Sequence, residues 1–334
     1  MKQGHKTITH SIYSVKMAFD YANMNLVPKM CIVNSRSECN VSTSFGNYEF
    51  LLPVVPANME CVIDKDIAVR LARNRYFYIM HRFNVDPLKF CQYMIDNECY
   101  TSISLGVNSD SYTDVDKLKL YKIQPDFITI DIAHGHSIKM KEIIKYIKEN
   151  LPKSFIIAGN VSTPEAVRDL ESWGANAIKV GIGPGSACTT YNATGFGSRG
   201  IQASVIHECA KACIKSKIIA DGGVTHPADI AKSLVLGASI VMIGGMFSGL
   251  NDSPGNTVLG LDNIMYKEFW GSASAHQSNK KNRIEGTKKL IPMKQNSILQ
   301  EMTYIEECLQ SAVSYGGGNN LDCFRSVKYI IKNV

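Results

Sequence analysis

Eight short apolar runs, each followed by a helix-like segment, occupy the chain between residues 51 and 243. They fall at 51–55, 76–80, 102–107, 127–131, 155–158, 177–180, 217–221 and 240–243. The runs are rich in Ile, Val, Phe and Ala and several are apolar without alternation, the pattern of strands buried on both faces. Helical stretches are expected at 64–73, 87–97, 113–121, 139–149, from Thr163-Pro164-Glu165 onward, at 201–212 and at 227–236, with a last one at 297–311. Thr163 before Pro164 is a helix-opening pair, a capping hydroxyl followed by proline at the first helical position. Strand and helix alternating eight times in order predicts an α/β fold, a (β/α)8 TIM barrel forming a single domain over residues 18–334. A doubly wound sheet would also alternate, but the number of runs and the polar residues at their C-terminal ends favour the barrel. Residues 1–17 read as a polar, loosely ordered leader. The polar stretch 250–292 after the eighth strand is too long for an ordinary connection and is expected to be a mobile flap over the barrel mouth.

The 334 residues are 45% hydrophobic, enough for a sizeable core. The net charge of +6 comes from acids and bases that interleave, so no nucleic-acid polymer is expected as a partner, whereas a small anionic substrate suits the balance. No early apolar segment with a cleavage site is present, and no run approaches the roughly 18 apolar residues of a membrane span. A soluble, cytoplasmic protein is expected. The ten cysteines are scattered, with no CxxC pair and no histidines at zinc spacing, which reads as reduced thiols.

The most specific stretch runs from the end of strand six into the loop after it: Lys179-Val180-Gly181-Ile182-Gly183-Pro184-Gly185-Ser186-Ala187-Cys188-Thr189-Thr190. Glycines there permit backbone shapes that side chains forbid and bare the peptide groups toward a ligand. A cysteine at the end of such a loop, on the catalytic face of a barrel, is placed to act as a nucleophile; a thiol that merely falls in a loop is the bland alternative. Glycine pairs follow strand seven, Gly222-Gly223, and strand eight, Gly244-Gly245, where barrels gather backbone N–H groups around a phosphate. Asp221 would take ribose hydroxyls, or would cap the next helix. Together these features read as a phosphorylated sugar or nucleotide held beside Cys188. Strand four ends in Asp131-Ile132-Ala133-His134-Gly135-His136, where a carboxylate suits a cofactor ribose; the two histidines lack a third metal ligand nearby. Arg82, after strand two, either meets a phosphate or is a solvated charge on the rim.

These residues resemble the family that joins inosine-monophosphate dehydrogenases and GMP reductases, over nearly the whole chain from about residue 19 to 329. Pro56-Ala57-Asn58-Met59, Asp131-Ile132-Ala133-His134-Gly135, Ala158-Gly159-Asn160-Val161 and Ala220-Asp221-Gly222-Gly223 stand in the family's order around the Gly183–Thr190 signature. The dehydrogenases usually insert a regulatory domain after strand two, for which there is no room between Arg82 and the helix at 87. They also use an Arg-Tyr pair in the flap; here Arg283-Ile284-Glu285-Gly286 is similar to the reductase flap instead. The likeness is greatest to the shorter reductases of Gram-positive bacteria, although Tyr191 stands where many relatives carry a basic residue.

The resemblance implies NADPH-dependent reductive deamination of GMP to IMP and ammonia through a Cys188 thioimidate, with Thr190 and Glu285 moving the proton. It further implies that Met59, Ser186, Asp221, Gly222, Gly223, Gly244 and Gly245 bind the nucleotide. Gly271, Ser272, Ala273 and Gly286 would line the base edge. Arg82, Asp131, Ile132, Ala133 and Gly181 would meet the cofactor. The carbonyls of Gly183, Gly185 and Cys188 resemble a monovalent-cation site, for K+, and a homotetramer is implied. The alternatives are a dehydrogenase of IMP lacking the inserted domain, a flavin-dependent barrel oxidoreductase, and a nucleotide-binding regulator without turnover.

Overall fold

The computed structural model describes residues 18–271 and 285–332. Its centre is a parallel sheet of seven strands: β4 (Val54–Pro56), β5 (Ser102–Leu105), β6 (Phe127–Asp131), β7 (Phe155–Val161), β8 (Ala177–Val180), β9 (Lys217–Asp221) and β10 (Ile240–Ile243). The order across the sheet is β4-β10-β9-β8-β7-β6-β5, so sequential strands neighbour one another and the first strand closes onto the last. This is the α/β architecture of a TIM barrel.

The expected second strand, 76–80, runs through the gap between β4 and β5 but forms no regular ladder. Tyrosine hydroxyls replace main-chain partners there. Tyr78 N donates to Tyr100 Oη at 3.0 Å, and Ser102 N donates to Tyr78 Oη at 3.1 Å. One backbone bond survives, from Met80 N to Ser102 O at 3.2 Å. Phe77 and Ile79 still point into the barrel beside Val55, Phe127, Ile157, Ile219 and Met242.

Period-two alternation sorts the strands into two cores. Phe127, Ile157, Ala177, Ile219 and Met242 fill the barrel interior. Their neighbours Ile128, Ile156, Ile178, Ile218 and Val241 face outward against the helices. Those helices begin where capping residues dictate. Asp64 caps α1 (Lys65–Arg73), accepting from Asp66 N and Ile67 N. Asp86-Pro87, Thr163-Pro164 and His226-Pro227 open α2 (Pro87–Asp96), α5 (Pro164–Trp173) and α8 (Pro227–Val235). Between them lie α3 (Ser109–Leu120), which starts four residues earlier than expected, α4 (Ile138–Asn150), the short α6 (Thr190–Thr194) and α7 (Gln202–Ala212). The four-residue α9 (Gly245–Ser248) follows β10, and α10 (Ile298–Tyr315) packs against α8.

The remaining strands close the ends. β1 (Met24–Leu26) pairs antiparallel with β14 (Tyr329–Ile331). The hairpin of β2 (Thr43–Phe45) and β3 (Tyr48–Phe50) pushes Phe45 and Phe50 into the N-terminal end of the barrel, against Phe77 and Phe127. Within 250–292 an antiparallel sheet forms from β11 (Thr257–Leu259), β12 (Met265–Trp270) and β13 (Lys288–Pro292). The proposed leader 1–17, Ser272, Ala273, Arg283 and Ile284 lie outside the described residues. No helix among the described residues is long and apolar enough to cross a membrane.

Candidate active site

At the C-terminal ends of the strands opens a cavity of about 1000 Å³. The same alternation that fills the barrel puts polar groups on its floor: Asp131 four residues after inward Phe127, Lys179 two after Ala177, Asp221 two after Ile219. On one wall stands the loop after β8. Gly181 has φ +141°, and a Cβ there would lie 2.1 Å from the Asp221 carbonyl oxygen, so a side chain is excluded. Gly183, at φ +70°, turns the chain back. Pro184, Gly185, Ser186, Ala187 and Cys188 then line the cavity.

Cys188 is half-buried at that wall. Its Sγ lies 3.1 Å from Thr190 Oγ1, and Thr190 Oγ1 donates to Glu285 Oε2 at 2.7 Å. Since the Thr190 proton points at the carboxylate, the hydroxyl oxygen is free to accept from the thiol. Thiol, hydroxyl and carboxylate therefore form one continuous proton path. Main-chain bonds clamp the segment carrying Glu285 onto the cysteine loop. Thr189 N donates to Glu285 O at 3.2 Å, Thr287 N to Ala187 O at 2.9 Å, and Cys188 pairs with Gly286 as an isolated antiparallel bridge. Gly271 completes the seam: a Cβ there would meet Ala187 O at 2.8 Å. Other cysteines are differently placed. Burial pushes the thiols of Cys61, Cys91 and Cys209 up to about 12, which leaves them protonated at neutral pH.

Both glycine pairs line the cavity, and Gly222 lies hard against the cysteine loop, where a Cβ would come within 2.9 Å of Pro184 Cγ. Gly222 and Gly223 have φ of +86° and +80°, and Gly244 and Gly245 sit at the start of α9. Asp221 is not the cap of the following helix, since His226 holds that position. Its carboxylate stays in the cavity floor. Met59, Arg82, Asp131, Ile132 and Ala133 also line the cavity. Arg82 Nε donates to the Asp131 carbonyl at 3.2 Å, and its guanidinium lies over the Phe83 ring. Among the residues singled out from the sequence, Gly286 meets Cys188 without lining the cavity, and Ser272 and Ala273 fall outside the described residues. His136 turns away to Asp169, with Nε2 and Oδ2 2.8 Å apart.

Lys179, Asn58 and Asn160 stand inside the motifs read from the sequence, but sequence reasoning gave them no role. Lys179 is 2% exposed and its Nζ meets Asp131 Oδ1 at 2.7 Å, Asp221 Oδ2 at 3.3 Å and Asn58 Oδ1 at 3.3 Å. Asn160 Nδ2 donates to Asp221 Oδ2 at 2.6 Å and to Gly181 O at 2.7 Å. Burial pushes the Asp131 carboxyl up, but the charge and hydrogen bond of Lys179, joined by the Arg82 charge and an Asn58 hydrogen bond, together hold it below the usual carboxylate range. Burial likewise pulls Lys179 down, and the two carboxylates hold it above the usual lysine value. The available signal was one lysine inside an otherwise apolar strand.

The whole arrangement can bring a thiol to an electrophilic carbon, pass a proton along Thr190 to Glu285, and hold an anion on bare backbone. A model of the IMP dehydrogenase / GMP reductase domain matches residues 18–333. The chain is 50% identical over 314 residues to a GMP reductase of Mycoplasma mycoides subsp. mycoides, covering 94% of this chain and 97% of that one. It is 51% identical over 314 residues to a GMP reductase of Oceanobacillus iheyensis, covering 94% and 95%. To a GMP reductase of Lactobacillus gasseri it is 48% identical over 322 residues, covering 96% and 97%.

Proposed function

Because this chain belongs to the IMP dehydrogenase / GMP reductase family of oxidoreductases, we propose that it carries out the NADPH-dependent reductive deamination of GMP to IMP and ammonia, serving purine nucleotide interconversion. The observation that carries the reading is the Cys188–Thr190–Glu285 chain of contacts at 3.1 and 2.7 Å on the edge of a cavity of about 1000 Å³. Such a volume suits a nucleotide with part of a dinucleotide alongside.

Purine C2 of GMP is an amidine-like carbon. Attack by the Cys188 thiolate forms a C–S bond, and the 2-amino group leaves as ammonia, giving a thioimidate on Cys188. Ammonia needs a proton to leave, and Thr190 with Glu285 supplies it. NADPH, when bound, supplies hydride to C2. Expulsion of the Cys188 thiolate then yields IMP, so one difficult displacement becomes two easier steps. Closure of the 250–292 segment as a flap keeps water from hydrolysing the thioimidate. The main-chain bonds from Thr189 N to Glu285 O and from Thr287 N to Ala187 O support that role, since they tie the flap to the nucleophile loop.

Gly222, Gly223, Gly244, Gly245 and Ser186 would hold the 5′-phosphate, Asp221 the ribose and Met59 the base, with Gly271, Ser272, Ala273 and Gly286 at the base edge. Arg82, Asp131, Ile132, Ala133 and Gly181 would hold the cofactor, and the acceptor carboxylate of Asp131 fits a ribose diol. The carbonyls of Gly183, Gly185 and Cys188 would hold a K+ ion, as the family resemblance implies. One assay separates this reading from dehydrogenation of IMP: purified protein with GMP and NADPH, and with IMP and NAD+. Oxidation of NADPH with one ammonia released per turnover is expected. NAD+ reduction by IMP with no GMP-dependent NADPH oxidation would refute it.

A further inference from the structure

Lys179 crosses the barrel floor between two strands that serve different ligands. On adjacent strands β6, β7 and β8, Asp131, Gly159 and Lys179 stand side by side. Gly159 is the gap through which the lysine reaches Asp131. A Cβ at 159 would lie 2.5 Å from Lys179 Cβ and 2.7 Å from its carbonyl oxygen. An ammonium has three protons, and three acceptors surround this one: Asp131, Asp221 and Asn58. Asp221 receives Lys179 and Asn160 on the same oxygen, Oδ2, which leaves Oδ1 for a ligand in the cavity. Asn58 is itself fixed, donating to Ser104 Oγ at 3.3 Å, while Ser104 Oγ donates to Met80 O at 2.6 Å. The lysine is therefore held from β5, β6, β9 and the loop after β4.

From this geometry we propose that Lys179 is a positioning residue for the reaction, one ammonium that fixes the cofactor-side carboxylate of Asp131 against the substrate-side carboxylate of Asp221. Its ammonium is taken up by Asp131, Asp221 and Asn58, so it acts through the two carboxylates and sets where one ligand lies relative to the other. Without it, two carboxylates crowd the same point with no counter-charge and draw apart, carrying the two bound ribose groups with them. The inference rests on the assignment of GMP to the Asp221 side and NADPH to the Asp131 side.

The test compares wild-type protein with Lys179→Met and Lys179→Arg in three measurements: calorimetric binding of GMP and of NADPH, the deuterium isotope effect on kcat with 4-deuterated NADPH, and the alkylation rate of Cys188. Lys179→Met should keep the Cys188 alkylation rate within about twofold, weaken NADPH binding about tenfold or more, and raise the isotope effect because hydride transfer becomes slow. Lys179→Arg, which keeps a charge shared between both carboxylates, should restore most of the binding and lower the isotope effect again. A Met variant that binds NADPH and turns over like wild type overturns the proposal, as does an Arg variant as impaired as Met while Cys188 alkylation stays normal in both. Should Lys179→Met fail to fold, Asp131→Asn carries the test. It should weaken NADPH binding about tenfold and change GMP binding less than about threefold, and the reverse order overturns the role. Wild-type protein that shows no GMP-dependent NADPH oxidation defeats the function assignment itself, and is thereby distinguished from failure of the lysine's role.

Discussion

Replacing Thr190 with valine removes one oxygen from the proton path and little else. Thr190 is 8% exposed, and valine matches its shape, so no cavity opens. The lost hydrogen bond reaches a carboxylate, Glu285 Oε2, at 2.7 Å. Such bonds contribute about 1.5–3 kcal/mol when buried, and the half-buried Glu285 regains water, so the stability loss should be near the bottom of that range or below it. The kinetic loss should be much larger. Neither Sγ nor the leaving nitrogen would then have a donor connected to Glu285, and general acid–base assistance contributes about 10²- to 10⁴-fold. That corresponds to roughly 3–5 kcal/mol of barrier. The KM for GMP should stay within about threefold, because Thr190 belongs to neither the phosphate nor the ribose contacts. Rapid-quench measurement of ammonia after mixing with GMP and NADPH reads the step directly. If ammonia release slows by less than about fivefold, or if KM rises in proportion to the fall in kcat, Thr190 is a binding residue and the relay is wrong.

Glu285→Gln keeps the size of the side chain and its backbone clamp, so GMP binding by calorimetry should hold while ammonia release slows; equal losses in both would point to binding alone. Limited alkylation followed by peptide mapping should label Cys188 well before Cys61, Cys91 and Cys209, whose thiols burial pushes up to about 12. Preferential labelling of any of those three would contradict the placement. The Asp131 carboxyl is held below its ordinary value by Lys179 together with Arg82 and Asn58, so its contribution to stability is present at neutral pH and is lost as pH falls through that depressed value. A melting-temperature series into acid should therefore show a drop that Asp131→Asn flattens, and parallel curves for the two proteins would remove that contribution.

Strand positions were legible wherever burial on both faces wrote an unbroken apolar run, as at Ile240–Ile243 and Phe127–Asp131. The same rule misread 76–80, because the competing partners were hydroxyls of Tyr78 and Tyr100, whose reach no local pattern announces. The sheet within 250–292 was invisible for a different reason. Thr257–Leu259 and Lys288–Pro292 are largely exposed, so burial imprinted no periodicity on them. The cysteine loop was readable because glycine at 181 and 183 answers a local backbone demand. The Lys179 network was not, since its partners Asn58, Asp131 and Asp221 come from distant parts of the chain and meet only once the barrel closes. Thr190 and Glu285, 95 residues apart, were joined in advance by family likeness rather than by any feature of composition or spacing.

The central claim is that Cys188 bonds to the purine during turnover, and intact-protein and peptide mass spectrometry of acid-quenched samples tests it most directly. With GMP and NADPH in steady turnover, a covalent purine-nucleotide adduct lacking the amino nitrogen should appear on the peptide carrying Cys188 and vanish in Cys188→Ala. Continued release of ammonia by Cys188→Ala, or an adduct on any other cysteine, would contradict the account.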